Sequence, residues 1–210
     1  MYEKYIKRLF DIVLCTIAMI VLSPIYIVAA IGIKLSSKGP ILYYSKRKGK
    51  NGKIFDFYKF RSMHLTDADK GLFVADPDRT FKFGRFIRKT KIDELPQLVN
   101  VIKGDMSIVG PRPMPLNSNM YTGKYEIITS VKPGLTSPAS LYDYIIGDQY
   151  TDDVAYMREV FPVKQKMELQ YVNSRSFHYD FVLVMKTIWT ILRVSFGSNS
   201  SIARGRTYDK

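Results

Sequence analysis

The sequence has almost none of the side chains that form disulfides or zinc sites. Its single cysteine, Cys15, excludes an intrachain disulfide and a cysteine-based metal site. Its two histidines, His64 and His178, are too far apart for a zinc motif. The sequence also lacks a P-loop, a GxGxxG fingerprint, a Ser-His-Asp signature and any internal repeat. A processive glycosyltransferase with a nucleotide-binding α/β domain therefore fits this short chain poorly.

Acidic residues are scarce as well. The chain of 210 residues has 19 acidic and 32 basic residues, which gives a formal net charge of +13. Such a chain attracts anions, whether nucleic acid, anionic lipid or phosphorylated substrates. Because 46% of the residues are hydrophobic and 24% are charged, a folded domain with a sizeable core is expected.

Charge is missing altogether from residues 12–33, a run of 22 positions that is long enough to cross a bilayer as a helix. Both flanks are basic, which favours the cytoplasmic side for both ends. Ser23 and Pro24 lie at the centre, where proline removes a backbone hydrogen bond and bends a helix. We therefore predict a re-entrant helix over residues 1–36 that enters and leaves the same leaflet. A kinked transmembrane helix and a soluble core helix are the alternatives.

The remaining pattern predicts an α+β fold, mostly helical, with residues 37–196 as the main domain and 197–210 as a tail. A β-hairpin is expected from residues 41–44 and 54–58, joined by a turn at 49–52. Helices are expected at 80–89, at 152–172 with a division at Pro162, and at 180–196. The helix at 80–89 has interleaved aromatic and cationic residues, so it either lies in a membrane interface or is a core helix with a solvated basic face. The helix at 180–196 is amphipathic and suited to the interface.

Two adjacent carboxylates, Asp93 and Glu94, follow a stretch from 79 to 92 that has six basic residues and no acidic one. Thr90 and Asp93 match a helix-capping box, which is a purely structural motif. Alternatively, Asp93 itself caps the helix, and Pro96 then occupies the first turn, where it is tolerated. The second arrangement is favoured, and it predicts a lowered pKa for Asp93. An ionised carboxylate there can attack phosphorus or bind magnesium, with Glu94 as a base or second ligand.

Three cationic positions stand out near these acids. In residues 58–63, apolar and cationic side chains alternate, so Lys59, together with Arg61, either contacts a substrate phosphate or lies on a solvated edge strand. Arg112 lies between Pro111 and Pro113, whose fixed backbone would hold its guanidinium in one direction for a phosphate. The alternative for Arg112 is a plain loop corner.

From about residue 7 to residue 192 the chain resembles the small monotopic phosphoglycosyl transferases of bacteria, also called bacterial sugar transferases. Six blocks carry the resemblance: KRLFD at 7–11, SP at 23–24, YKFRSM at 58–63, IDELPQL at 92–98, NVIKGDMS at 100–107 and VGPRP at 109–113. Together these blocks are highly specific, although no single block is.

The resemblance implies transfer of a sugar 1-phosphate from a UDP-sugar to a polyprenol phosphate at the cytoplasmic face of the bacterial inner membrane, as the first membrane step of glycoconjugate synthesis. Asp93 would form a covalent phosphosugar intermediate and release UMP, with Glu94 completing the dyad and Mg²⁺ bound by both carboxylates. Lys59, Arg88 and Arg112 would contact phosphates, and Ser23 and Pro24 would bend the membrane helix. Membrane lipid is an implied partner and nucleic acid is not, while a homodimer is left open.

One block departs from the family pattern. After the Pro-Gly turn at 133–134, many members continue with a run of the GWAQVNGR type, whereas this chain reads LTSPASLYDY at 135–144. Nucleotide and sugar contacts are therefore not carried over to residues 135–150. The rival hypothesis is a basic membrane-bound module that binds nucleic acid or anionic lipid without chemistry, but it does not account for the Asp-Glu pair.

Overall fold

The computed structural model describes residues 5–65, 78–116, 121–150 and 152–196. The helices are α1 Lys7–Val21, α2 Ser23–Ser36, α3 Lys82–Lys89, α4 Gln97–Lys103, α5 Pro138–Ile145, α6 Asp153–Glu159, α7 Phe161–Ser174 and α8 Phe177–Phe196. The strands are β1 Leu42–Lys48, β2 Ile54–Phe60, β3 Ser107–Val109, β4 Met114–Pro115 and β5 Gly134–Thr136. Short 3-10 helices lie at Lys50–Gly52, Ile92–Glu94, Gly123–Ser130 and Gly147–Gln149. The predicted α+β class with mostly helix is confirmed.

The predicted hairpin is present as β1 and β2, which pair antiparallel along their whole length. Its connection contains Asn51 and Gly52, both at positive φ, a conformation that asparagine and glycine tolerate best. The sequence did not predict that β4 would extend this sheet on the other edge of β1. A second, parallel pair joins β3 to β5. The four residues of Gly110–Pro113 connect β3 to β4, so Arg112 lies between the two sheets.

The N-terminal helices meet at a bend of 61°. Leu22 separates α1 from α2, and Pro24 occupies the first turn of α2, where its missing N–H costs no hydrogen bond. The Ser23 hydroxyl donates to the carbonyl oxygen of Ile20 at 2.7 Å. The predicted Ser-Pro bend is confirmed. Of the described residues, no single helix is long and apolar enough to cross a bilayer, whereas this bent pair meets that criterion jointly.

One face of the bent pair packs on the rest of the chain. Cys15 joins a cluster with Phe55, Phe57 and Val101, while Ile33 is fully buried in a second cluster beneath α3. The opposite face is apolar and exposed. Its large side chains include Leu9, Val13, Ile17, Ile20, Val21, Ile27, Val28, Ile31 and Leu35. Burial of such side chains is favourable by about 1.5–3 kcal/mol each, so an exposed row of them marks a contact surface.

Helix α4 is held at both ends by the two N-terminal helices. At its C-terminal end, the Arg8 guanidinium of α1 donates to the carbonyl oxygens of Val101 and Ile102 at 2.5 and 2.7 Å. Both belong to the last turn of α4, where carbonyls lack a full set of helical partners, although Val101 also accepts from the N–H of Gly104 at 3.0 Å. Just before its N-terminal end, the Tyr26 hydroxyl of α2 donates to the carbonyl oxygen of Leu95 at 2.6 Å.

In the C-terminal region, Pro162 divides α6 from α7 as predicted and lies in the first turn of α7. Helix α8 begins at Phe177, three residues before the predicted start, and buries Asp180 and Leu183. Lys7 of α1 forms an ion pair with Asp180. The exposed side of α8 is amphipathic, as predicted, and carries Phe177, Phe181, Met185, Lys186, Ile188, Trp189, Leu192 and Arg193. The predicted tail at 197–210 lies outside the described residues, and the domain division at 36/37 stays a prediction.

Candidate active site

Asp93 and Glu94 lie in the short 3-10 helix Ile92–Glu94, between α3 and α4. Both predicted capping arrangements are wrong, because α4 begins after Pro96 and has no side-chain cap. Thr90 instead donates back to the carbonyl oxygen of Phe86 at 2.9 Å, which closes the last turn of α3. Lys91 then adopts a left-handed conformation with φ of 56°, and this reversal separates the acidic turn from α3.

Two of the three predicted phosphate-binding cations contact Glu94 directly. Lys59 of β2 donates to Glu94 Oε1 at 3.2 Å, and Arg112 Nη2 lies 3.7 Å from the same oxygen. Arg88, in the last turn of α3, lies near enough for its charge to lower the pKa of Asp93. The fold therefore brings together five of the predicted residues from three separate parts of the chain: Lys59, Arg88, Asp93, Glu94 and Arg112.

The two carboxyl groups have opposite electrostatic environments. Burial raises the pKa of Asp93, and the neighbouring charge of Glu94 adds to that effect; together these outweigh the attraction of Lys59, Arg88 and Lys91. The prediction of a lowered pKa for Asp93 is therefore wrong, since loss of hydration was not visible in the sequence. Asp93 is 4% exposed, and its Oδ1 makes no hydrogen bond.

Glu94 is the member of the pair that is held ionised. Burial alone would raise its pKa, but Lys59, Arg112 and Lys91 more than offset this effect, so the pKa lies below its ordinary range. Burial also lowers the pKa of Lys59, although the charges of Glu94 and Asp93 oppose that change. The site thus has a charge-paired Glu94 beside an Asp93 whose oxygen retains free lone pairs.

Arg61 does not belong to this site. It is 2% exposed and donates to the carbonyl oxygen of Pro40 at 2.6 Å, and to the hydroxyl and carbonyl oxygens of Ser37 at 2.7 and 2.8 Å. The hypothesis that Arg61 accompanies Lys59 on a phosphate is therefore wrong. The chain leaves β2 after Phe60, and Arg61 instead ties the end of α2 to the hairpin.

The carboxylates fit a magnesium ion only in company with a substrate. In the described part of the chain, no group of three or more His, Cys, Asp or Glu residues forms a metal cage. Magnesium in phosphoryl-transfer sites commonly takes one or two carboxylates together with substrate phosphates and water. The adjacent carboxylates of Asp93 and Glu94 supply such a pair.

Sequence reasoning missed Glu168, which lies on α7 beneath Arg112. Its Oε1 accepts from the Ser137 hydroxyl at 2.8 Å and from the backbone N–H of Arg112 at 3.2 Å. Burial raises the pKa of Glu168 to about 7, although Ser137, Arg112 and Lys164 oppose the change. No sequence signal separates this glutamate from a solvated helical one, because its partners are more than 30 positions away.

The block that departs from the family pattern forms β5 and α5, and it borders the site. Ser137 caps α5 by accepting from the N–H of Ser140. The Tyr144 hydroxyl donates to the carbonyl oxygen of Lys89 at 2.5 Å, and the Lys91 ammonium lies 4.2 Å from the centre of the Tyr144 ring. Helix α5 therefore packs against the turn that leads into Asp93.

Glu168 gives a pH-dependent stability prediction. Its folded-state pKa of about 7 exceeds its ordinary value of 4.5, so its contribution to stability is complete below about pH 4.5 and is lost as the pH rises towards 7. Glu168→Gln keeps an acceptor oxygen but cannot ionise. At pH 8 we expect Glu168→Gln to be more stable than the wild type, by at most about 3 kcal/mol, and at pH 5 we expect little difference.

Chemical denaturation at both pH values measures this difference. Glu159→Gln is the control, because Glu159 is exposed and pairs with its neighbour Arg158 and with Tyr150. Equal destabilisation of Glu168→Gln at pH 5 and pH 8 would contradict the raised pKa.

Comparison with known proteins gives matches over nearly the whole chain. A sequence model of the family described as bacterial sugar transferase matches residues 2–194. The chain is 36% identical over 194 residues to the UDP-glucose:undecaprenyl-phosphate glucose-1-phosphate transferase of Escherichia coli, covering 89% of this chain and 40% of that protein. It is 37% identical over 203 residues to the UDP-N-acetylgalactosamine-undecaprenyl-phosphate N-acetylgalactosaminephosphotransferase of Aeromonas hydrophila, covering 92% of this chain and 45% of that protein.

A shorter relative matches along most of its own length. The uncharacterized sugar transferase EpsL of Bacillus subtilis is 36% identical over 195 residues, covering 89% of this chain and 87% of that protein. By contrast, the chain spans less than half the length of the two relatives from Escherichia coli and Aeromonas hydrophila.

Proposed function

Because this chain belongs to the bacterial sugar transferase family, we propose that it transfers a sugar 1-phosphate from a UDP-sugar to a polyprenol phosphate. The observation that carries the proposal is the turn with the buried Asp93 and the half-buried Glu94, where Lys59 and Arg112 contact Glu94 and the charge of Arg88 is close by. Carboxylates and cations in this arrangement suit chemistry on a diphosphate, which needs a nucleophile and several positive partners. The names of the relatives, which include UDP-glucose and undecaprenyl phosphate, support the substrate classes.

The proposed reaction has two displacements at the same phosphorus. Asp93 Oδ1 attacks the β-phosphorus of the UDP-sugar, the bond from that phosphorus to the bridging oxygen breaks, and UMP leaves with the bridging oxygen. An oxygen of the polyprenol phosphate then attacks the phosphosugar–Asp93 intermediate, which frees the carboxylate and gives a polyprenyl diphosphosugar. Asp93 suits the first step because its Oδ1 has no hydrogen-bond donor to compete for its lone pairs.

Lys59, Arg112 and a bound Mg²⁺ would each contribute to binding the substrate phosphates. Lys59 and Arg112 share one carboxylate oxygen of Glu94, so each is already directed toward the acidic turn before a substrate arrives. Arginine can bind a phosphate through two parallel hydrogen bonds, whereas lysine acts as a point charge. Mg²⁺ bound by Asp93 and Glu94 would offset the charge of the diphosphate.

The membrane location belongs to the same proposal. The bent α1–α2 pair has an exposed apolar face and basic residues at both ends, which suits a re-entrant segment held on the cytoplasmic face of the bacterial inner membrane. The exposed aromatic and aliphatic side chains of α8, together with Lys186 and Arg193, suit the adjacent interface. A lipid phosphate and a soluble nucleotide sugar would meet at that surface.

A reaction without acceptor tests the function. Purified protein with Mg²⁺ and UDP-glucose or UDP-N-acetylgalactosamine, the donor classes named for two relatives, is expected to gain the mass of one phosphosugar. UMP should appear in a burst of about one equivalent, and addition of undecaprenyl phosphate should then give continued turnover.

Two results would count against this function. Steady UMP release that requires the acceptor, without any adduct in rapidly quenched samples, would replace the covalent route by direct transfer. Salt-sensitive binding of RNA or anionic lipid, with no UMP from any UDP-sugar, would favour the rival non-catalytic module.

Topology is tested by labelling with a membrane-impermeant maleimide. Cysteines introduced by Lys4→Cys and Lys38→Cys are expected to react in inside-out vesicles and to stay unlabelled in intact cells. The parent protein is the control, because its native Cys15 is 1% exposed and should not react. Labelling of the Lys4→Cys protein in intact cells would replace the re-entrant segment by a spanning helix.

A further inference from the structure

The main chain of Arg112 is held by a buried carboxylate from a distant helix. We infer that Glu168 is a positioning residue, which fixes the direction of the Arg112 side chain by accepting its backbone N–H. The inference rests on the proposed function, in which the Arg112 guanidinium binds the donor diphosphate. Neither the family resemblance nor the names of the relatives assigns a role to this glutamate.

Glu168 joins three parts of the fold at one oxygen atom. It lies on α7 and is 1% exposed, and its Oε1 accepts from the Ser137 hydroxyl at 2.8 Å and from the Arg112 N–H at 3.2 Å. Ser137 in turn caps α5 through Ser140. The strand-to-strand connection that carries Arg112 is thereby tied to both α5 and α7.

The hydrogen bond from the Arg112 N–H to Glu168 constrains the local backbone strongly, because Arg112 lies between two prolines. Pro111 and Pro113 have no N–H and have a fixed φ, so the Arg112 amide is the sole backbone donor of the tripeptide. The Gly134 N–H also donates to the carbonyl oxygen of Pro111 at 2.8 Å, which holds the first residue of the tripeptide. Loss of the bond from the Arg112 N–H would release a backbone anchor at the residue that carries the guanidinium.

The far end of Arg112 lies at the reacting groups. Its Nη2 is 3.7 Å from Glu94 Oε1, and its side chain is about two-fifths exposed, so the guanidinium faces the space in front of the acidic turn. A misplacement of about 1 Å can cost on the order of a hundredfold in rate. Control of the backbone of Arg112 is therefore control of a phosphate contact.

The buried Glu168 carboxyl is not explained by stability alone. Its Oε2 is buried and makes no hydrogen bond, and burial of a carboxyl with an unpaired oxygen is unfavourable. The charges and hydroxyls around it come from several elements. They are Lys164 on α7, Arg112 before β4, Ser137 before α5, and Tyr121 and Tyr179, whose pKa values are raised mainly by burial and further by the charge of Glu168.

Enzyme kinetics with substitutions at Glu168 provide the test. Glu168→Leu removes the acceptor and is expected to raise the KM for the UDP-sugar about tenfold, the equivalent of one hydrogen bond. Glu168→Gln retains an acceptor oxygen and should keep a KM within about twofold of the wild type. Val172→Ala, one turn along α7 and fully buried, is the matched control, since it destabilises the same helix without touching Arg112.

A double-mutant cycle separates positioning from general stability. If Glu168 acts through Arg112, then Glu168→Leu should add less than about twofold to the KM of the Arg112→Met variant. Independent, multiplicative effects of the two substitutions would overturn the inference. So would a tenfold rise in KM for Val172→Ala, because that result would show that any loosening of α7 is sufficient.

Amide hydrogen exchange gives a readout that needs no turnover. Because Pro111 and Pro113 have no amide hydrogen, exchange within residues 111–113 reports on Arg112 alone. We expect the Arg112 amide to be protected in the wild type and in Glu168→Gln, and to exchange at least tenfold faster in Glu168→Leu. Fast exchange in the wild type would refute the hydrogen bond, whereas protection in a protein that forms no UMP would refute only the proposed function.

Discussion

Asp93→Asn is expected to abolish the burst of UMP and the phosphosugar adduct, and to lower turnover by about a thousandfold or more, because an amide oxygen cannot replace the attacking carboxylate. The fold should be unaffected. Asp93 is buried and its Oδ1 has no hydrogen-bond donor, so an uncharged side chain of the same shape should leave the melting temperature unchanged or raise it. Mass spectrometry of the intact protein and UMP assays measure the first effect, and thermal unfolding in detergent measures the second.

Asp56→Asn is the control for this substitution. Asp56 lies on β2 and pairs with Lys46 in an exposed salt bridge, so its loss should change stability by no more than about 1 kcal/mol and should leave turnover intact. Full UMP release by Asp93→Asn would exclude Asp93 as the nucleophile. Loss of activity together with a collapsed melting temperature would instead assign Asp93 a structural role.

Arg61→Met is expected to cause the largest loss of stability, about 3 kcal/mol or more. The substitution removes three donated hydrogen bonds, worth about 0.5–1.5 kcal/mol each, and leaves the buried carbonyl oxygen of Ser37 without its guanidinium donor, which costs about 1–3 kcal/mol. Burial lowers the pKa of Arg61, in line with a guanidinium that donates to the neutral oxygens of Pro40 and Ser37. Denaturant titration measures the loss.

The same variant distinguishes the two hypotheses about Arg61. If Arg61 has only a structural role, the folded fraction of Arg61→Met should have an unchanged KM for the UDP-sugar. The control is Arg85→Met, on the exposed side of α3, which should change the free energy of unfolding by no more than about 0.5 kcal/mol. A tenfold rise in KM at unchanged stability would restore a phosphate contact for Arg61. Lys59→Met should have the opposite profile, with a large kinetic effect, because Lys59 contacts Glu94.

The local features of the fold followed from the sequence where short-range chemistry determines structure. The connection with Asn51 and Gly52 needs positive φ, and the sequence supplies residues that tolerate it. The helix through the long apolar run is interrupted at Ser23 and Pro24, as predicted, because proline has no N–H to continue the hydrogen bonds of α1. The five charged residues of the site were also identified in advance, through the family resemblance together with local charge.

The features that sequence reasoning missed depend on contacts between distant segments. Lys59 lies on β2 and contacts Glu94, whereas Arg61, two residues later, lies beyond the end of the strand at Phe60 and ties α2 to the hairpin. The raised pKa of Asp93 depends on loss of water, which no spacing encodes. Glu168 could not be identified because its partners, Ser137 and Arg112, come from other elements.

The attachment of α4 to both N-terminal helices has a practical consequence for protein engineering. Arg8 of α1 and Tyr26 of α2 donate hydrogen bonds at the two ends of α4, the short helix that follows Asp93 and Glu94. Helices α1 and α2 are therefore part of the scaffold of the site. A water-soluble version made by deleting residues 1–36 would lose both supports. A better route to solubility is to redesign the exposed side chains of the bent pair, such as Val13 and Ile17, and to leave Arg8 and Tyr26 in place.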